Sequence, residues 1–511
     1  LEGGRRVAHN RANPIAIDPR AARHGRSPVT DTLDQAKSYQ QLIGGAFVDA
    51  VSGATQDVIN PANDQLVARV PKSSAEDVDR AVESAAKAYE TWSQTTPQER
   101  SLALLKLADS IEGRAEELGR IESRNTGKPA QVAIDEMDVV VDLFRFFAGA
   151  CRQMEGKAVA EYLAGHTSMI RRDPVGVVAS IAPWNYPLYM AAWKLGPALA
   201  TGNTCVLKPS ARTPLSALLF AELAAEHLPE GVVNVLSGSG ADIGDHLVMH
   251  PKVRMISITG DTETGKHIAR LAAGGVKRLH LELGGKCPII VFDDADVTLA
   301  VEMVRMGGYW NAGQDCTAAT RVIAGPKVYD RFLAELSDQV KTIKWGDPTT
   351  EEDLEMGSLI AQAQVDKVEA MVERARAGAE IVVGGKRPAR AGAYYEPTLI
   401  ANPDQRSEIV QDEVFGPVVT VQRFGDEEEA VRWANDVRFG LASAVFTGSI
   451  GRAMRVAKAL EFGTVWINEH FTLTSETPHG GVKESGWGKD GSMYALEDYT
   501  SIKHITINTA I

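Results

Sequence analysis

Cysteine is scarce in this 511-residue chain: Cys151, Cys205, Cys287 and Cys316 are all there is. They are widely spaced, with no C-x-x-C pair and no Cys/His cluster at zinc spacing. Neither a disulfide framework nor a metal site is expected. Thiols this sparse fit a reducing compartment, and the cytoplasm is the expected location. No apolar run approaches the roughly 20 residues of a membrane span. The nearest, Tyr186–Ala200, is broken by Lys194. Positive charge is short too: 54 Lys and Arg against 67 Asp and Glu give a formal net charge of −13. That surface excludes nucleic acid as a main partner, because phosphate binding needs a basic face. Internal repeats and low-complexity blocks are absent.

What is present is ordinary globular composition, 44% hydrophobic and 24% charged. The length implies two or three domains. Residues 1–37 lack periodicity and carry six arginines from Arg5 to Arg26, with no apolar stretch of signal-peptide type. They read as a mobile extension. Residues 41–70 alternate like short strands. Ser74–Phe147 is helical, with Ser74 and Asp77 as a capping box and Leu104, Leu107, Ala108 and Ile111 at helical spacing. From Pro174 to Gly285 strands and helices alternate. The strands are Gly176–Ala182, Thr204–Lys208, Val232–Leu236 and Met255–Thr259. A second alternating region runs from Pro288 to about Ile467. The fold class is therefore α/β, with parallel sheets covered by helices and ligands bound at the strands' carboxyl ends.

Several segments carry chemistry. Ile181–Leu188, Ile-Ala-Pro-Trp-Asn-Tyr-Pro-Leu, pins Asn185 in a rigid turn after a strand. A rigid amide is a good donor to a developing oxyanion, although backbone needs alone also place Asn in turns. Lys208 ends an apolar strand before Pro209, where it can reach a ribose hydroxyl or phosphate or simply snorkel. Gly260–Lys266 has the P-loop spacing, but His267 replaces the required Ser or Thr, and Asp261 and Glu263 would repel phosphate. Asp261 reads better as an N-cap, leaving the helix amides to face a pyrophosphate. Glu282, between leucines and before Gly284-Gly285, is a candidate general base with a raised pKa; a solvent-facing strand-edge acid is the alternative. Cys316 lies in a polar loop, Asn311–Thr317, where a thiol can be exposed and activated. No histidine is near it in sequence. Pro478–Lys489 is a glycine-dense loop that must turn sharply or approach a neighbour closely.

Together, from about Tyr39 to Ile507, these segments resemble the aldehyde dehydrogenase superfamily. Residues 165–187, Gln314–Ala319 and Leu496–Thr500 look like the bacterial gamma-aminobutyraldehyde dehydrogenases. The resemblance implies a Rossmann-like cofactor domain over 38–157 and 173–283 and an α/β catalytic domain over 284–477. It also implies a small β oligomerisation element over 158–172 and 490–508, giving a homodimer or homotetramer. By resemblance Cys316 is the nucleophile, Asn185 and the Cys316 N–H the oxyanion hole, and Glu282 the base. Lys208 completes the catalytic set. NAD would lie against Ala182, Pro183, Trp184, Lys208, Ser210, Ala211, Gly244, Gly260, Asp261, Thr264, Glu282, Leu283, Gly284, Glu413 and Phe415.

Two positions depart from the pattern. Ala211, followed by Arg212, stands where many NAD-using members have glutamate, which leaves NADP open. Asp261 stands where serine is usual. The substrate is expected to be an aldehyde with an ammonium group, such as 4-aminobutanal. Trp193, Trp310, Asp315, Glu136 and Asp138 would form an acidic, aromatic tunnel. Betaine aldehyde or a plain aliphatic aldehyde is the alternative, and a P-loop NTPase a remote one.

Overall fold

The computed structural model describes residues 37–154 and 159–510. The expected N-terminal extension lies outside these residues except for Lys37, as does Ala158. Val177–Ile181, Thr204–Lys208, Val233–Val235, Val253–Thr259 and Arg278–Glu282 form a parallel sheet. The first three strands are buried along their whole length. Near-continuous apolar runs of this kind belong to sheets covered on both faces. The order across the sheet is 278–282, 253–259, 177–181, 204–208, 233–235. Gln41–Ile43 and Ala46–Val48 extend one edge antiparallel.

Helices cover both faces. Helix α1 (Ala75–Trp92) and the helix Thr262–Ala273 share one face. There Val78, Val82, Ile256, Ile258 and Ile268 pack in one cluster. As expected from Ser74 and Asp77, the Asp77 carboxylate accepts the Ser74 N–H at 2.8 Å where α1 begins. The remaining expected helical stretch resolves into α2 (Pro97–Gly113), α3 (Ala115–Thr126) and α4 (Ala130–Ala150). With α5 (Pro187–Ala200) and α6 (Leu215–His227), they supply the opposite face. Phe144, Phe147, Leu188, Leu218 and Phe220 are buried there against Val178 and Leu207.

A second sheet follows in the order 380–383, 398–401, 418–423, 321–324, 288–291, 442–446, 464–467. All its pairs are parallel except the first. The two sheets are joined by Leu283–Cys287, so the expected boundary at 283/284 falls in that connection. A third, exposed sheet pairs Ala160–Leu163 with His166–Pro174, and the latter with Thr500–Asn508. Gly486–Trp487, which fell outside the expected domains, returns to the first sheet and pairs antiparallel with Leu281–Glu282. Glycine is needed at 486 because a Cβ there would lie 2.1 Å from the Leu281 carbonyl oxygen. Among the described residues no helix is long and apolar enough to cross a membrane.

Candidate active site

The parallel register lines up the chain's chemistry. Ile181 pairs with Lys208, Ile258 with Ile181, and Thr259 with Glu282. Asn185, Lys208, Gly260 and Glu282 therefore emerge at one carboxyl-end crevice, as parallel sheets dictate. The turn after Ile181 is fixed from both sides. The Asn185 carbonyl accepts Lys128 Nζ at 2.9 Å and Asn311 Nδ2 at 3.1 Å. Its own Nδ2 donates to the Gln314 carbonyl at 3.0 Å, which fixes the amide plane. An amide nitrogen carries two N–H groups, so one remains for another acceptor.

Cys316 sits in the loop between the helix Val297–Tyr309 and the strand Arg321–Ala324. Left-handed Asn311, Ala312 and Gly313 turn that loop back on itself. The thiol is half-buried, while the other three are buried. Glu282 and His479 converge on it: the sulfur, a carboxylate oxygen and a ring nitrogen all lie within 4.8 Å of one another. Glu282 is 1% exposed, which rules out a solvent-facing strand-edge acid. Both its carboxylate oxygens lack a hydrogen-bond partner, and Oε1 is 3.8 Å from His479 Nε2. Gly285 allows this approach, because a Cβ there would lie 2.2 Å from the Cys316 carbonyl oxygen.

The groups around the thiol disfavour its charged form. Burial first, then the charges of Glu282 and Asp315, hold its pKa well above the usual range. His479 was missed as a site residue. The Pro478–Lys489 segment was recognisable as a glycine-rich loop, but its return to Cys316 is a tertiary fact. Its ring packs on Trp193 with centroids 5.0 Å apart, and Trp193 packs on Tyr189 at 4.9 Å.

The residues expected to hold the cofactor have these surroundings. Trp184 and Phe415 meet edge to face at 5.2 Å. Glu413 accepts the Gly285 N–H at 2.7 Å, and burial raises its pKa to about 7. A Cβ on Gly284 would lie 2.6 Å from the Glu413 carboxylate. Lys208 is buried, and that burial lowers its pKa to about 8. Its Nζ reaches only the Pro209 and Gly238 carbonyls, at 3.0 and 3.5 Å. Ala182 donates its N–H to the Lys208 carbonyl, while Pro183 is half-buried beside it. Leu283 packs where any Cβ on Gly265 would have to be. Ser210 and Ala211 are half-buried, Arg212 is exposed, and Gly244 closes the buried end of the turn 240–244.

Asp261 is the N-cap of its helix, accepting from Glu263 N at 2.9 Å and Thr264 N at 3.2 Å. This is the N-cap expected of Asp261, and it occupies two of the first-turn amides. Lys266 is spent on Glu263 and Glu484, both at 3.0 Å, so the P-loop spacing is coincidental.

The acidic tunnel also needs correction. Glu136 is buried and paired with Lys128 at 2.7 Å, because an unpaired carboxylate there would be costly. Lys128 was not foreseen; nothing in Gly127-Lys128-Pro129 marks it as buried. Asp138 is exposed. Asp315 is buried next to Cys316 and accepts from Thr317 N at 2.6 Å and Thr317 Oγ1 at 2.7 Å. Trp310 is half-buried and packs on the same core cluster as Tyr186 and Trp193.

A thiol, a carboxylate and a fixed amide at the end of a Rossmann-like sheet, facing a second α/β layer, define an enzyme built for acyl chemistry on sulfur. The chain belongs to the aldehyde dehydrogenase family, whose model matches residues 47–505. It is 41% identical over 480 residues to a betaine aldehyde dehydrogenase of Bacillus subtilis, covering 92% of this chain and 98% of that one. A betaine aldehyde dehydrogenase of Staphylococcus aureus, solved with NAD+, is 43% identical with a TM-score of 0.90, covering 93% of this chain and 95% of its own. An aldehyde dehydrogenase of Bacillus cereus, also solved with NAD+, is 38% identical with a TM-score of 0.91, covering 93% and 97%. The Bacillus subtilis and Staphylococcus aureus relatives carry the betaine aldehyde name rather than the gamma-aminobutyraldehyde name that the motifs suggested.

Proposed function

We propose that this chain oxidises betaine aldehyde, or an aldehyde with a similar quaternary ammonium head, to the carboxylic acid using NAD. The observation that carries the chemistry is the meeting of Cys316 and Glu282 within 4.8 Å. Cys316 adds to the aldehyde carbon, and the free Asn185 N–H faces the oxygen that becomes negative. Bound NAD supplies the hydride acceptor. Glu282, with both oxygens unpartnered, takes a proton from the water that releases the acid from sulfur. The chain fits the dinucleotide: Lys208 is a buried cation with carbonyls but no acid beside it among the described residues, suited to a ribose hydroxyl or phosphate.

The substrate reading follows from what remains once the acids are accounted for. Glu136 is paired with Lys128, which also faces the buried Glu122, and Asp138 faces solvent. Aromatic rings are left, with Tyr189 meeting Trp193 edge to face and Trp193 tilted against His479 beside the nucleophile. A quaternary ammonium offers no N–H to a carboxylate and is recognised by aromatic faces. The named relatives support the same substrate. 4-Aminobutanal is the second reading, favoured by Asp315, a buried acid with no ion-pair partner among the described residues. A steady-state panel with NAD and NADP against betaine aldehyde, 4-aminobutanal and butanal separates them. Betaine aldehyde with NAD should give the highest kcat/KM. Equal values for butanal would defeat both charged-substrate readings.

A further inference from the structure

We propose that Cys316, Glu282 and His479 bind a single thiophilic divalent cation of the zinc class, which reversibly caps the nucleophile. The three ligand atoms lie within 4.8 Å of one another, with His479 Nε2 and Glu282 Oε1 at 3.8 Å. Zinc binds sulfur at about 2.3 Å and nitrogen or oxygen at about 2.0 Å, so tetrahedral ligands sit roughly 3.3–3.7 Å apart. The His479–Glu282 edge, at 3.8 Å, is already close to that spacing, and the sulfur closes in from within 4.8 Å. Both His479 ring nitrogens and both Glu282 oxygens are buried without a hydrogen-bond partner. Of these, the Glu282 carboxylate and His479 Nε2 approach each other beside the sulfur, and buried polar atoms left unsatisfied there require an explanation. Asp315 and Glu413 add negative charge around the sulfur beyond that of Glu282. A dication there relieves repulsion that the resting enzyme otherwise carries.

Sequence spacing hides this set, because Cys316 and His479 come from separate loops of the chain. On binding, the thiol proton leaves to water, a sulfur–metal bond forms, and nothing is oxidised or reduced. The captured sulfur cannot attack an aldehyde. This inhibition rests on the activity proposed above; the binding does not.

The full chain is titrated with Zn2+ against a chromogenic chelator, and with Co2+ by absorbance. One equivalent of either metal should bind, with a near-ultraviolet thiolate-to-cobalt band. Apparent affinity should rise about tenfold per pH unit while the thiol remains protonated, since one proton is displaced. Cys316→Ala should abolish the band. His479→Phe should weaken binding by about tenfold or more, as even outer partners of a metal cost that much. Should a variant fold poorly, alkylation of wild-type Cys316, confirmed by peptide mapping, should remove the band instead. No saturable binding, a band that survives alkylation, or unchanged affinity in a folded His479→Phe would overturn the site. If metal binds as described but no aldehyde is oxidised, the fault lies with the proposed activity and not with the site.

Discussion

Cys316 is held protonated by its own surroundings, and that has a measurable sign. Burial and the neighbouring acids raise its pKa, so the thiolate is scarce at neutral pH in the free enzyme. Alkylation by iodoacetamide should be slow at pH 7 and accelerate as pH rises past 9. Glu282→Gln removes the largest neighbouring charge, so it should speed alkylation at pH 8 while slowing turnover. Slower alkylation in that variant would show that Glu282 primes the thiol rather than suppressing it. Trp193→Leu tests the aromatic wall. Losing a cation–π contact of about 0.5–2 kcal/mol should lower kcat/KM for betaine aldehyde by about 2–30-fold relative to butanal. Cys316, Glu282 and Asn185 were legible in the sequence because each sits in a short, chemically odd segment. His479 was not, because its partners come from a different loop. Glu136 was misread for the same reason: its charge is decided by Lys128, whose burial no local pattern announces.

At the scale of elements, the Asn185 turn depends on the junction of α3 and α4. Gly127, left-handed at φ 79°, ends α3 and turns Lys128 inward. Lys128 then joins Glu136 on α4 to the Asn185 carbonyl. Breaking a buried pair by removing one partner costs about 3–5 kcal/mol, whereas replacing both by apolar groups is often neutral. Lys128→Met should therefore lower the denaturant midpoint and reduce kcat, because Asn185 loses a donor that fixes it. Adding Glu136→Leu should restore part of the stability, since Glu122 stays buried without the lysine, but little of the kcat. If the double variant recovered both, the ion pair would be structural only. The strands themselves were legible as apolar runs, since a parallel sheet buried on both faces allows little else. The two-residue strand at Gly486–Trp487 was not, because only its pairing with Leu281–Glu282 makes it a strand.

For the whole molecule, the exposed third sheet is the unresolved surface. Tyr162 is 77% exposed, Leu163 63% and Ile502 66%, all on strands with a free edge or face. Apolar side chains on an unpaired strand are a template for association, and monomeric proteins usually blunt such edges with charge. Here the blunting is partial: Asp173 pairs with Arg171 and Lys503, but the apolar residues lie open around them. The C-terminal strand runs in unbroken register from Thr500 opposite Pro174 to Asn508 opposite His166, so the sheet is a formed platform rather than a frayed tail. We infer that it is covered by another copy of the chain, giving a dimer or tetramer. Light scattering of the wild-type chain should report a mass above one chain. Leu163→Lys with Ile502→Lys should shift it towards the monomer, because each lysine would bury a charge in the interface. A wild-type chain that is monomeric at micromolar concentration would mean that this sheet meets a different partner, and that the active site between the other two sheets is complete in one chain.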